Sequence, residues 1–159
     1  MSATLSVDLL IGIGTNLDPE RNASFAVRRL RDVFGQASVS TFYRTRPLGE
    51  PGQPPYINAV VAVHTHWAVA RVKGELKRIE SQTGRTDQGR KTGAPRTLDL
   101  DLLAYGDSVR AEANLPHSDL VERDFVLIPA AELWPDWVHP VLGVPLARLA
   151  RERFPTSPN

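Results

Sequence analysis

The chain has 159 residues, 42% of them hydrophobic and 23% charged, which suits one globular domain with a substantial core over residues 1–159. Its formal net charge of +1 gives no general pull toward nucleic acid or membrane surfaces. With no cysteine, disulfides and thiolate metal sites are excluded, and the composition fits a cytoplasmic protein.

Residues 1–8 carry no basic leader, and no apolar run approaches a membrane span, so neither export nor insertion is expected. Val7–Ile13 is an apolar run closed by Gly14 and predicts a buried first strand. Gly12-Ile13-Gly14 is not a dinucleotide fingerprint, because Leu17 stands where the third glycine belongs, and no Walker-type phosphate loop occurs. Asp18-Pro19-Glu20 supplies a cap, a first-turn proline and an acid in the order of a helix start. Ala26, Val27, Leu30, Val33 and Phe34 then share one helical face, and Gly35 is the stop.

Ala37–Arg44 reads as a second strand, and the proline-rich Thr45–Pro55 as a stiff loop, either a pocket wall or a plain connector. Tyr56–Thr65 is a third strand whose alternation puts Tyr56 and Asn58 on one face, an aromatic platform beside an amide. Val69, Val72, Leu76 and Ile79 mark a helix over Ala68–Thr83, ended by Gly84. Glu80 sits beside its apolar face near the C-terminal end, where the helix dipole disfavours an acid. It reads either as a surface glutamate or as an acceptor for a ligand hydroxyl or amine.

Gly84–Arg96 is a glycine-rich polar loop in which Arg85, Arg90, Lys91 and Arg96 face a single acid, Asp87. It runs into Arg96–Leu103, where Leu98, Leu100 and Leu102 take one face of a strand and Thr97, Asp99 and Asp101 the other. A rise of roughly 3.3 Å per residue sets the two aspartates about 7 Å apart on the same side. Paired carboxylates repel and need a cation; hard Mg²⁺ ions shared with phosphates would serve, with guanidinium forks on the phosphate oxygens. An isolated Asp-x-Asp is more simply a wet strand face, and the basic loop directly upstream is what favours a metal–polyphosphate site. Further on, Tyr105-Gly106-Asp107 makes a turn, and Leu115-Pro116-His117 and Arg123-Asp124-Phe125 add a histidine, a cation and an aromatic. Phe125–Leu133 looks like core-packing sequence, and His64-x-His66 lacks a third ligand for a metal. Strand, helix, strand, strand, helix, strand is the α+β ferredoxin-like order: an antiparallel sheet with both helices on one face, plus C-terminal additions.

Taken together, Ile11–Leu17, Phe42–Gly49, Gln53–Ala59, Ile79-Glu80, Gly84-Arg85, Pro95–Leu103, Leu115–His117 and Arg123–Leu127 resemble the 6-hydroxymethyl-7,8-dihydropterin pyrophosphokinases over nearly the whole chain. Pro95–Leu103 is the most specific of these segments. The resemblance implies a folate-pathway transferase that moves the terminal pyrophosphoryl group of ATP to the pterin hydroxymethyl oxygen, leaving AMP. On the matching positions it implies that Asp99 and Asp101 bind two Mg²⁺ bridging the ATP phosphates, and that Arg85 and Arg96 contact those phosphates. Arg90 would be a further, weaker phosphate contact, His117 and Arg123 would face the triphosphate or its ribose, and Glu80 would sit on the nucleotide side. Tyr56 and Phe125 would sandwich the pterin, while Asn58 and the Thr45–Leu48 backbone read its edge. Two departures stand out. Where the family usually has Arg-Trp-Gly directly before the Pro-Arg-Thr-Leu-Asp segment, the chain reads Arg90-Lys91-Thr92-Gly93-Ala94-Pro95, a longer stretch without tryptophan, and Ser118 stands where an aromatic is common. The expected partners are ATP and the pterin, with no nucleic acid or membrane, and the expected state is a monomer. An RNA-binding module of the same fold is disfavoured by the acidic pair and by only 7% aromatic residues. A metal-dependent phosphohydrolase using the same aspartates on water would release phosphate without any pterin.

Overall fold

The computed structural model describes residues 5–45, 55–83 and 98–155. Strand β1 (Val7–Thr15) runs through the middle of a five-stranded antiparallel sheet. On one side it pairs with β5 (Asp99–Tyr105), on the other with β4 (Tyr56–Thr65). The far edge of β4 carries two short strands, β2 (Ser38–Val39) and β3 (Tyr43–Thr45). Helices α1 (Pro19–Phe34) and α2 (Val69–Ser81) lie where the apolar periodicity predicts them. The α+β class and its strand–helix order are those expected from the sequence.

The sheet buries both faces. Leu9, Ile11 and Ile13 of β1, with Leu100 and Leu102 of β5, pack against Leu30 of α1 and Val72, Leu76 and Ile79 of α2. Leu10, Val60, Leu103 and Ala104 point the other way, under α3 (Asp119–Glu122), α4 (Asp124–Leu133) and α5 (Leu146–Arg153). The C-terminal additions therefore form a third layer, which explains why β1 is apolar at successive positions rather than alternate ones. Among the described residues no helix is long and apolar enough to cross a membrane.

Locally the structure departs from the sequence expectation at the cap of α1, in the second strand, in β5 and in the C-terminal layer. Helix α1 begins at Pro19, but the Asp18 side chain makes no capping bond; its backbone takes φ 47°, and Asn22 Nδ2 donates to the Leu17 carbonyl instead. The second strand is not continuous over Ala37–Arg44. Ser40 Oγ accepts the Val60 N–H at 2.9 Å in place of a backbone carbonyl, so the ladder breaks and the register on β4 advances by one residue between β2 and β3. Strand β5 also carries a bulge: Ile11 faces Leu102 and Leu10 faces Ala104, leaving Leu103 as the extra residue. As a result Leu103 and Ala104, though consecutive, both enter the core beneath the C-terminal helices. Phe125–Leu133, expected only to pack, is most of α4, a helix that accommodates Pro129 within its length.

Candidate active site

At the C-terminal end of β1 the register aligns Asp99, Gly14 and Asn58 in one row across three strands, with Tyr43 of β3 beyond Asn58. The row lies on the sheet face that carries the C-terminal helices, and its members Asp99, Gly14 and Asn58 line a cavity of about 230 Å³. Its floor is glycine. A Cβ at Gly14 would stand 3.3 Å from Asn58 Oδ1, and one at Gly12 would stand 3.3 Å from Leu103 Cδ1. The Gly12-x-Gly14 pair that fails as a dinucleotide motif therefore clears the space between the amide and the two carboxylates.

The walls come from four elements. Tyr56 opens β4, and Phe125 and Val126 project from the first turn of α4. Asn58, only 8% exposed, donates from Nδ2 to Thr45 Oγ1 at 2.9 Å, which fixes the amide with Oδ1 over Gly14. Asp99 is half-buried and Asp101 exposed, both on the opposite wall. The structure thus gathers Thr45, Tyr56, Asn58, Asp99, Asp101 and Phe125 around one space, as the sequence reading requires. It adds Asp119, which that reading did not single out: its signal, an acid two residues after His117, is visible only once α3 folds against β5.

A second cavity, of about 220 Å³, opens on the other side of β5 between Leu76, Lys77 and Glu80 of α2, Leu100 and Leu102 of β5, and Asn114 and His117 beyond. Asp101 lines both cavities. The roof of the second is tied down by Lys73, whose Nζ donates to the Ala113 carbonyl at 2.8 Å. His117 is pinned to the strand because its backbone N–H bonds the carbonyl of the bulge residue Leu103 at 2.8 Å. Its Nδ1 accepts the Asp119 N–H at 3.1 Å, so a neutral ring carries its proton on Nε2. Glu80 is not a surface glutamate. At 8% exposure it accepts the Leu100 N–H at 2.8 Å, anchoring α2 to β5. Arg123 stands just outside, exposed, with Nε 3.9 Å from Asp119 Oδ1.

Leu48, Arg85, Arg90, Lys91, Arg96 and Thr97 lie outside the described residues, as does the whole of the loop expected over Gly84–Arg96. His64 and His66 are both exposed, and among the described residues no three His, Asp or Glu side chains are gathered closely enough to hold a metal. Larger grooves of about 430 and 660 Å³ at the other end of the sheet, around Asp8 and Trp134, share no residue with either cavity.

Residues 10–135 match the family model of 7,8-dihydro-6-hydroxymethylpterin-pyrophosphokinase. The chain is 36% identical over 135 residues to the 2-amino-4-hydroxy-6-hydroxymethyldihydropteridine pyrophosphokinase of Haemophilus influenzae, covering 82% of this chain and 83% of that one. To the enzyme of the same name from Synechocystis it is 38% identical over 148 residues, covering 90% and 74%. Its fold is similar to that of wild-type Plasmodium falciparum HPPK-DHPS, with a TM-score of 0.71 at 12% identity over 98% of this chain; the chain spans about half of that longer protein, 47% of its length.

Proposed function

The chain belongs to the 7,8-dihydro-6-hydroxymethylpterin-pyrophosphokinase family, and from that membership we propose how its two cavities divide the reaction. The activity is transfer of pyrophosphate from ATP to the hydroxymethyl oxygen of 6-hydroxymethyl-7,8-dihydropterin, giving AMP and the pterin diphosphate in folate synthesis. The observation that supports the division is the row Asp99–Gly14–Asn58, which sets an amide and a carboxylate on either side of a glycine floor. The pterin takes the first cavity, its faces against Tyr56 and Phe125, its polar edge read by Asn58, Thr45 and the chain through Leu48. The nucleoside of ATP takes the second cavity, with its apolar walls Leu76, Leu100 and Leu102 and with Glu80 and His117 at its polar side. The triphosphate then passes Asp101, which the two cavities share.

Asp99 and Asp101 fit Mg²⁺. They are two hard oxygen donors on one face of an edge strand, the sparse protein contribution that Mg²⁺ takes when phosphates complete its shell. Two bound Mg²⁺ would supply neutralisation of charge on the β- and γ-phosphates. Arg85 and Arg96 contact the same phosphates as catalytic groups, Arg90 and Arg123 flank them, and His117 offers Nε2–H to the phosphates or ribose. In the chemical step the hydroxymethyl oxygen bonds the β-phosphorus while the bond from that phosphorus to the α,β-bridging oxygen breaks. AMP leaves with the bridging oxygen, and the hydroxyl proton passes to solvent. Tyr56, Phe125 and Asn58 act by holding the attacking oxygen in line, so catalysis is positioning and electrostatics. The setting of this reading is a single-domain cytoplasmic monomer working on two small molecules.

The test is AMP formation from ATP and Mg²⁺ with and without the dihydropterin. AMP that appears only with the pterin, matched by pterin diphosphate, is the expected result. ADP or phosphate released without pterin would replace this reading with hydrolysis.

A further inference from the structure

Among the described residues strand β3 spans only Tyr43–Thr45 and pairs with β4 alone, yet it carries Thr45, whose hydroxyl orients Asn58. So short an edge strand has few ladder bonds to hold it in place. Glu132, in the last turn of α4, supplies what the ladder lacks. Its Oε1 accepts the Tyr43 phenol O–H at 2.6 Å, and its Oε2 accepts the Thr41 backbone N–H at 3.1 Å. Both carboxylate oxygens are thereby committed to the segment that enters β3, through bonds of the stronger, charge-assisted kind. Burial, reinforced by the carboxylate beside it, holds the Tyr43 phenol above its ordinary range, so Tyr43 keeps its proton and donates it. On its other flank β3 is tied by the ion pair between Arg44 and Glu20 of α1.

The first turn of α4 carries Phe125, about two turns before Glu132, or roughly 10 Å along the axis. One helix thus bears an aromatic wall of the first cavity at one end and the anchor of the opposing wall at the other. We propose that Glu132 is a positioning residue for the pterin: through Tyr43 and Thr41 it fixes β3 against α4 and so sets the gap between Phe125 and the Thr45–Asn58 pair. This rests on the reading that the pterin occupies that cavity. Neither Glu132 nor Tyr43 lines the cavity, so their effect on the pterin is transmitted through Thr45 and Asn58.

The experiment compares Glu132→Ala and Tyr43→Phe with Trp137→Phe, which deletes a bond of similar length to Asp107. Pterin binding is titrated with Mg²⁺ and a non-hydrolysable ATP analogue, alongside steady-state kinetics and thermal melting. Tyr43→Phe is expected to raise the pterin Kd about fivefold and Glu132→Ala about tenfold, with kcat and the KM for ATP within about twofold of the parent. The double variant should match Glu132→Ala, because both changes cut one link. Lowered melting with an unchanged pterin Kd, the pattern expected of Trp137→Phe, would make Glu132 merely structural and overturn the proposal. Asn58→Ala and Phe125→Ala separate the two levels. If they too leave the Kd unchanged, the placement of the pterin is what fails; if they weaken binding and Glu132→Ala does not, only the clamp fails. Should Glu132→Ala not fold, Tyr43→Phe alone decides, since it keeps the ring and removes a single hydroxyl.

Discussion

Replacing Gly12 by alanine should leave the fold nearly as stable while impairing the pterin site. A Cβ at position 12 would lie 3.3 Å from Leu103 Cδ1, 3.5 Å from Cδ2 and 3.6 Å from Cγ. All three atoms belong to the end of one side chain, so Leu103 can give by a few tenths of an ångström instead of the backbone moving. Alanine in a strand gains about 0.5–1 kcal/mol over glycine by losing less chain entropy. Overpacking a core typically costs about 1–3 kcal/mol, and a contact this mild belongs at the low end. The terms nearly cancel, so the melting temperature should move by no more than about 3 °C. The cavity has no such compensation: the new methyl sits on its floor and Leu103 is pressed from behind. The KM for the pterin, measured at saturating ATP, should therefore rise about tenfold with the KM for ATP unchanged. An unchanged pterin KM would refute the assignment of Gly12 to the floor of the pterin site. A fall in melting temperature beyond about 8 °C would refute the claim that Leu103 can yield.

Asp101→Ala should reduce AMP formation about a thousandfold, equivalent to some 4 kcal/mol of lost charge stabilisation in the transition state; normal turnover would remove Asp101 from the Mg²⁺ site. Glu80→Ala leaves the buried Leu100 N–H without its acceptor and should cost about 1–3 kcal/mol in denaturant unfolding. Glu80→Gln, which keeps an oxygen there, should recover most of that, and equal losses in the two variants would argue against the bond. His139 is buried, and its Nδ1 accepts the N–H groups of Val141 and Leu142, both at 3.2 Å. Desolvation holds its pKa below the ordinary 6.5, so the unfolded chain binds the proton more readily than the native one. Its contribution to stability is accordingly complete above pH 6.5 and declines as pH falls through the lower native value. The difference in unfolding free energy between the parent and His139→Asn should shrink over that interval, and a difference independent of pH would show that the ring does not titrate there.

Much of the site could be read in the sequence because it depends on local pattern. Strict alternation around Asp99 and Asp101 and between Tyr56 and Asn58 fixes which side of the sheet they face, whatever lies across from them. The helices α1 and α2 follow from apolar periodicity strong enough to survive an unexpected cap at Asp18. The third layer was less legible. Pro129 hides α4, since a proline within a run of apolar residues argues against a helix unless tertiary packing overrides it. Glu80 was ambiguous for a similar reason: the helical pattern puts it beside the core, but only the arrival of β5 supplies the Leu100 N–H that accounts for its burial.

The features that periodicity missed are the ones that adjust the site. The break at Ser40 and the bulge at Leu103 each substitute a non-local hydrogen bond for a regular ladder bond, and neither leaves a mark in the spacing of apolar residues. Each has a consequence at a cavity. The break frees Thr41 to meet Glu132 and turns the chain into β3, placing Thr45 beside Asn58. The bulge pushes Leu103 into the space above Gly12 and offers its carbonyl to the backbone of His117, which brings that ring to the second cavity. Sequence pattern thus supplies the chemical groups, while irregularities in the sheet set their distances. A variant that regularised β5 by deleting Leu103 would keep every candidate ligand in the chain and leave Ala104 and Tyr105 on their present faces, yet it would remove the side chain packed above Gly12 and the carbonyl that holds the His117 backbone to the strand.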